Sequence, residues 1–108
     1  MHYHVHPRQP DEALIQAAEK QAERMAMYNT ITHGPDTAGE RAHRFGYPST
    51  YVFENVAYGN ETPQDIFKMW MDSPGHYENI ISQTDDIGIG IAESESGTLF
   101  WCVVFGRK

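Results

Sequence analysis

One unbroken apolar run, TLFWCVVFG at residues 98–106, constrains this chain more than any other feature. Its aromatic and β-branched content favours extended backbone. A strand sends successive side chains to opposite faces, so a run that is apolar throughout needs cover on both sides. The chain must therefore build three layers around it. The preceding stretch, DIGIGIAES, alternates Ile87, Ile89 and Ile91 with Gly88 and Gly90. The isoleucines fill one face, and the glycines leave the other open to close approach by another layer. SESG at residues 94–97 is the turn that joins the two strands into a hairpin.

The remaining elements are helical or short. Residues 11–28 place Leu14, Ala18, Ala22, Met25 and Ala26 on one stripe, with Glu19, Lys20, Glu23 and Arg24 off it, and Pro10-Asp11 in front. Met25 and Met27 read as core filler. NTITHGPDTAG is a loop that holds His33, and ERAHRFGY is a short second helix stopped at Gly46. In STYVFENVAYG, Tyr51, Val52, Phe53 and Val56 favour extended structure without a long alternation. Thr62 and Pro63 then open a helix as cap and first residue, with Asp65 three residues after the cap. Ile66, Phe67 and Trp70 form its buried face. Ser-Pro-Gly at 73–75 restarts the chain, with Ser73 as cap of the next helix and His76 in its first turn. Helices mixed with an antiparallel hairpin give an α+β fold, and 108 residues without a linker or repeat give one domain. The domain runs from 11 to 108, after a flexible segment at 1–10. In that segment His2, His4 and His6 share one face if extended, which suits a metal tract or simply a frayed terminus.

Composition excludes several classes. A net charge of -7 argues against nucleic acid as a partner. No apolar run approaches the roughly 18 residues of a membrane span. Cys102 is alone and lies inside the apolar run, so neither an internal disulfide nor a cysteine nucleophile is expected. MHYHVHPRQP lacks the charged and apolar regions of a signal peptide, which leaves the compartment undetermined.

Three pieces of the chain, THGPD, ENVAYGNETPQDIFKMWMDSPGHYENI and IGIGIAESESGTLFWCVVFG, resemble in order and spacing the CAP superfamily (SCP/PR-1-like), especially its short bacterial extracellular branch. The resemblance spans residues 11–106. It implies an α-β-α sandwich with an antiparallel sheet between helical layers, and secretion or a place in the cell envelope. It also implies a cleft lined by His33, Glu54 and His76. Two departures stand out. Where eukaryotic members carry a second Glu before Ser-Pro-Gly-His, this chain has Asp72 as the only acidic candidate. The family's additional N-terminal helix has no counterpart in the ten residues before the first helix, so one layer is expected to be thinner or completed by a partner.

The cleft implied by this resemblance suits three chemistries. Two imidazoles and a carboxylate make a competent site for a divalent metal such as zinc. The first expectation is a binding module for a small ligand, lipid, glycan or protein partner, with or without that metal. The second is a zinc-dependent hydrolase of peptide or cell-wall material, with Glu54 as base toward a metal-bound water. The third is a structural domain without a working site. Ser73 reads as spent on its helix cap, so no activated Ser-His pair is expected. His43, Arg41 and Arg44 read as a surface histidine and a solvated or acid-paired helix face. Tyr47, Tyr51, Tyr58 and Tyr77 either rim the groove or pack, and Asn55 and Asn79 hold turns.

Overall fold

The computed structural model describes residues 7–108, so the reading of His2, His4 and His6 lies outside the described residues. The elements in chain order are β1 (Gln9–Pro10), α1 (Glu12–Tyr28), α2 (Ala38–Arg44), β2 (Val52–Tyr58), α3 (Pro63–Met71), α4 (Pro74–Ile80), β3 (Asp86–Glu93) and β4 (Leu99–Gly106). The strands form one sheet in the order β1-β3-β4-β2. The central apolar run is thus flanked by β3 and β2, both antiparallel to it, and is buried along its length from Phe100 to Gly106.

Helix α1 supplies one layer. Asp11 accepts a hydrogen bond from the Leu14 amide at 3.1 Å, and Asn29 closes the helix in the left-handed region at φ 51. Its buried stripe is Leu14, Ala17, Ala18, Gln21, Ala22, Met25 and Ala26, packed on Phe100, Cys102 and Val104 of β4. Met27 falls outside that stripe and is 75% exposed, so it is not core. The small residues of α1 meet the two glycines of β3. A Cβ on Gly88 would lie 2.1 Å from the Leu14 carbonyl carbon, and one on Gly90 would lie 2.4 Å from the Glu19 nitrogen. Backbone therefore packs on backbone, as the Ile-Gly alternation requires.

Helices α3 and α4 supply the opposite layer. Ile66, Trp70, Met71 and Ile80 pack on Ala57, Trp101, Val103 and Phe105. Burying each such Phe, Val or Ile contributes about 1.5–3 kcal/mol. Thr62 caps α3 by accepting from the Asp65 amide at 3.2 Å, with Pro63 in the first turn. Phe67, expected inside, is 43% exposed, and Met71 takes the buried position. This layer covers the β2–β4 half of the sheet, so Ile89 and Ile91 are left about half exposed instead of filling a core. The three-layer α-β-α sandwich stands, with one layer incomplete.

Two segments differ from the sequence reading. Residues 8–10 are tied into the fold. The Gln9 amide donates to Asp85 O and the Asp11 amide to Ile87 O, which makes β1 a short parallel edge and skips Pro10, whose nitrogen has no hydrogen to give. Arg8 donates to Ile80 O at 2.6 Å and Ser82 O at 2.8 Å, satisfying carbonyls at the end of α4, and stacks over Phe105. Helix α2 begins earlier than expected, at a capping box in which Thr37 and Glu40 exchange side-chain and backbone hydrogen bonds.

The backbone contact between α1 and β3 generates a stability test. Gly88→Ala should destabilise the protein by about 1–3 kcal/mol or more, because the added methyl has no space without moving α1. Urea unfolding measures this, and a change near zero would mean that α1 does not sit on the β3 backbone.

Candidate functional site

The site is built around Glu54, whose side chain points from β2 toward α2 and is only 3% exposed. Its Oε2 is ion-paired with Arg41 Nη1, and Cys102 Sγ lies 3.3 Å from the same oxygen and donates to it. Its Oε1 meets His33 Nδ1 at 3.0 Å. Burial pushes the Glu54 carboxyl up, but the hydrogen bonds from His33 and Arg41 and the guanidinium charge outweigh it and hold the group below its ordinary value. Cys102 is a buried free thiol, pushed well up by burial and by Glu54, so it is no nucleophile.

Arg41 is completely buried, so of the two readings, a solvated helix face or a partner for nearby acids, the second describes it. Beyond Glu54 it reaches Asp36 Oδ1 through Nε at 3.2 Å and His33 O through Nη2 at 3.2 Å. Asp36 is in turn paired with Arg24 at 2.7 Å and with Arg44. Gln21, buried on α1, donates to Thr32 O at 2.6 Å and Gly34 O at 3.0 Å. The loop that carries His33 is therefore clamped from α1 by Gln21 and Arg24 and from α2 by Arg41. Sequence reasoning missed these positioning residues. Gln21 sits among alanines on the buried stripe, which is the one available signal of a polar group with internal partners.

His76 approaches from the opposite layer. Asn55 donates to His76 O at 3.1 Å, and Asn79 donates to Glu54 O at 3.2 Å and Asn55 Oδ1 at 2.8 Å. The asparagines thus brace α4 against β2 and do more than hold local turns. Ser73 stands at the N-cap position of α4 but makes no side-chain cap bond. Its hydroxyl instead meets His76 Nδ1 at 2.9 Å, so the hydroxyl expected to cap the helix is held by the histidine. Among the described residues no carboxylate orients the other ring nitrogen, so the contact lacks the third member of a triad. Burial, and secondarily the His33 charge, lower the His76 pKa.

His33 and His76 therefore face the outer edge of β2 from its two sides. Each imidazole has Nδ1 engaged by an oxygen. The His33 side chain is 61% exposed and borders an open cleft of about 460 Å³ that also touches Pro35, Phe53 and Glu54. The hydrogen bond that His33 donates to the Glu54 carboxylate raises the His33 pKa. Asp72 stays apart, exposed at the C-cap of α3, where its carboxylate makes no hydrogen bond or ion pair with a described residue. His43 is exposed, as expected. Tyr47 is buried and donates to Asp86 at 2.7 Å, so it does not rim the groove. Among the described residues no three His, Cys, Asp or Glu side chains are close enough to form a metal site. No described helix is long and apolar enough to cross a membrane.

A small sheet between two helical layers, with His33 on the buried Glu54 of an edge strand and His76 braced against the same strand from the opposite layer, defines an SCP/PR-1-like sandwich. Residues 2–105 match the CAP, or cysteine-rich secretory protein, family, and the chain belongs to it. It is 35% identical over 94 residues to the uncharacterized protein YkwD of Bacillus subtilis, covering 83% of this chain and 37% of that one. It spans well under half the length of that relative. An outer surface protein of Borrelia burgdorferi is similar in structure, with a TM-score of 0.83 at 25% identity over 96% of this chain and 80% of that one. An extracellular SCP-domain protein of Bacillus anthracis shares the fold at a TM-score of 0.82 and 24% identity, over 94% of this chain and 34% of that one.

The His33–Glu54 pair makes a pH prediction. The raised His33 pKa means that its contribution to stability is present in full below its unfolded value of 6.5 and is lost as pH rises through the higher folded value. Imidazole resonances followed by NMR should titrate above 6.5 for His33 and below it for His76. Glu54→Gln should bring His33 down, and a His33 midpoint unmoved by that substitution would contradict the pairing.

Proposed function

We propose that this chain is a binding module whose cleft along the outer edge of β2 takes a small ligand, lipid, glycan or protein segment. In this reading His33 and His76 offer their Nε2 atoms to a divalent cation such as zinc. One observation carries it: both imidazoles have Nδ1 held by an oxygen, Glu54 Oε1 for His33 and Ser73 Oγ for His76. A second oxygen partner on the far nitrogen is the arrangement that orients an imidazole as a ligand. A cation there would take two imidazole donors, with water or ligand atoms completing it. When bound, such a cation supplies a Lewis-acid anchor for an oxygen of the ligand. The extracellular description of the Bacillus anthracis protein and the outer-surface location of the Borrelia burgdorferi protein support action outside the cell.

Glu54 serves this reading as the partner that orients His33. Both its oxygens are committed, one to Arg41 and Cys102 and the other to His33. The role of base in a zinc-dependent hydrolase would require one of them to be free, so the geometry favours binding over hydrolysis.

Zinc titrated by calorimetry into a chain with His2, His4 and His6 replaced by Ala should give saturable single-site heat. His33→Ala/His76→Ala in the same background should abolish it. Equal heats in the two proteins would sink the metal reading.

A further inference from the structure

One half of the sheet lacks its cover. Helices α3 and α4 lie over the β2–β4 half, and beside them Ile89 and Ile91 of β3 are 52% and 48% exposed. With the half-exposed Phe67 they border an apolar groove of about 570 Å³, which has Trp70 and Trp101 in its wall. Pro7, the first described residue, borders the same groove. The chain is pinned at that point by Arg8. Its guanidinium donates to Thr84 Oγ1 at 2.8 Å and to the Ile80 and Ser82 carbonyls, and it lies over the Phe105 ring. Residues 1–6, which lie outside the described residues, are therefore tethered at the groove by a fixed anchor.

We propose that residues 1–6 occupy this groove as an extended segment, with Tyr3 and Val5 seated against Ile89 and Ile91 and His2, His4 and His6 turned outward. The sequence pattern, the length and the anchor carry it. Met1, Tyr3 and Val5 are apolar, and a histidine follows each of them. Extended backbone sends the two sets to opposite faces, so one face matches the groove and the other suits water. Pro7 biases His6, the residue before it, toward extended backbone. Six extended residues reach about 20 Å, and the stretch of β3 from Ile87 to Ile91 covers about 13 Å, so the segment is long enough to span it. A tether this short also keeps the segment at high local concentration beside the groove, which a second copy or a free ligand lacks. The groove lies at the β3 edge and the His33 cleft at the β2 edge, so the two readings stand or fall separately.

NMR of the full chain tests the proposal. In wild type, nuclear Overhauser contacts should join the Tyr3 ring and the Val5 methyls to the Ile89 and Ile91 methyls, with the same strength across a wide concentration range. Tyr3→Ser/Val5→Ser should keep the far-UV circular dichroism, shift the tryptophan emission to the red and bind the apolar dye anilinonaphthalene sulfonate severalfold more than wild type. His2→Ser/His4→Ser, which alters only the outward face, should bind the dye as wild type does. Absence of the contacts in wild type overturns the proposal, and so does equal dye binding by wild type and Tyr3→Ser/Val5→Ser. Contacts that appear only as the protein dimerises at high concentration overturn it too, and assign the groove to a second copy.

Discussion

The site depends on one buried ion pair. Arg41 has no exposed surface, and a guanidinium in that position is tolerable only with its charge and donors satisfied. Glu54, Asp36 and the His33 carbonyl do this together, which forces three separate segments to converge. The strand that carries Glu54, the helix that carries Arg41 and the loop that carries His33 are fixed relative to one another by that requirement. Without Arg41, Glu54 would be a buried carboxylate facing only a half-exposed histidine and a thiol.

The other half of the site is positioned by neutral hydrogen bonds. Asn55 and Asn79 tie α4 to β2, and Trp70 donates from α3 to Val56 O. These bonds occupy carbonyls of an edge strand and set His76 beside it. The same contacts that protect the β2 edge therefore position His76. A free edge would otherwise be available for pairing. The division of labour is physical: charge holds His33 from one layer, and amides hold His76 from the other.

Much of this was legible in the sequence because periodicity reports burial. The unbroken apolar β4 run demanded two covering layers, and Gly88 and Gly90 announced the close approach of α1. Thr62-Pro63 marked a helix start by its capping chemistry. What was not legible depends on contacts between distant segments. Arg41 sits on a short helix among other charged residues, and nothing local distinguishes a buried arginine from a solvated one. Phe67 looked like core because its type and spacing fit, but the layer above it is incomplete. Gln9-Pro10 did not read as a strand, since two residues carry no period and proline is excluded from sheet interiors. Ser73 occupied the expected cap position, yet its hydroxyl had a competing partner in His76.

The most direct measurement is a double-mutant cycle on Arg41 and Glu54 by urea unfolding. Arg41→Met and Glu54→Gln should each cost about 3–5 kcal/mol, because each strands the other group in a buried position. The double variant should cost clearly less than the two losses added together, since neither charge is then left unpaired. Strictly additive losses would contradict the account, showing that the pair is not the interaction on which the site is built.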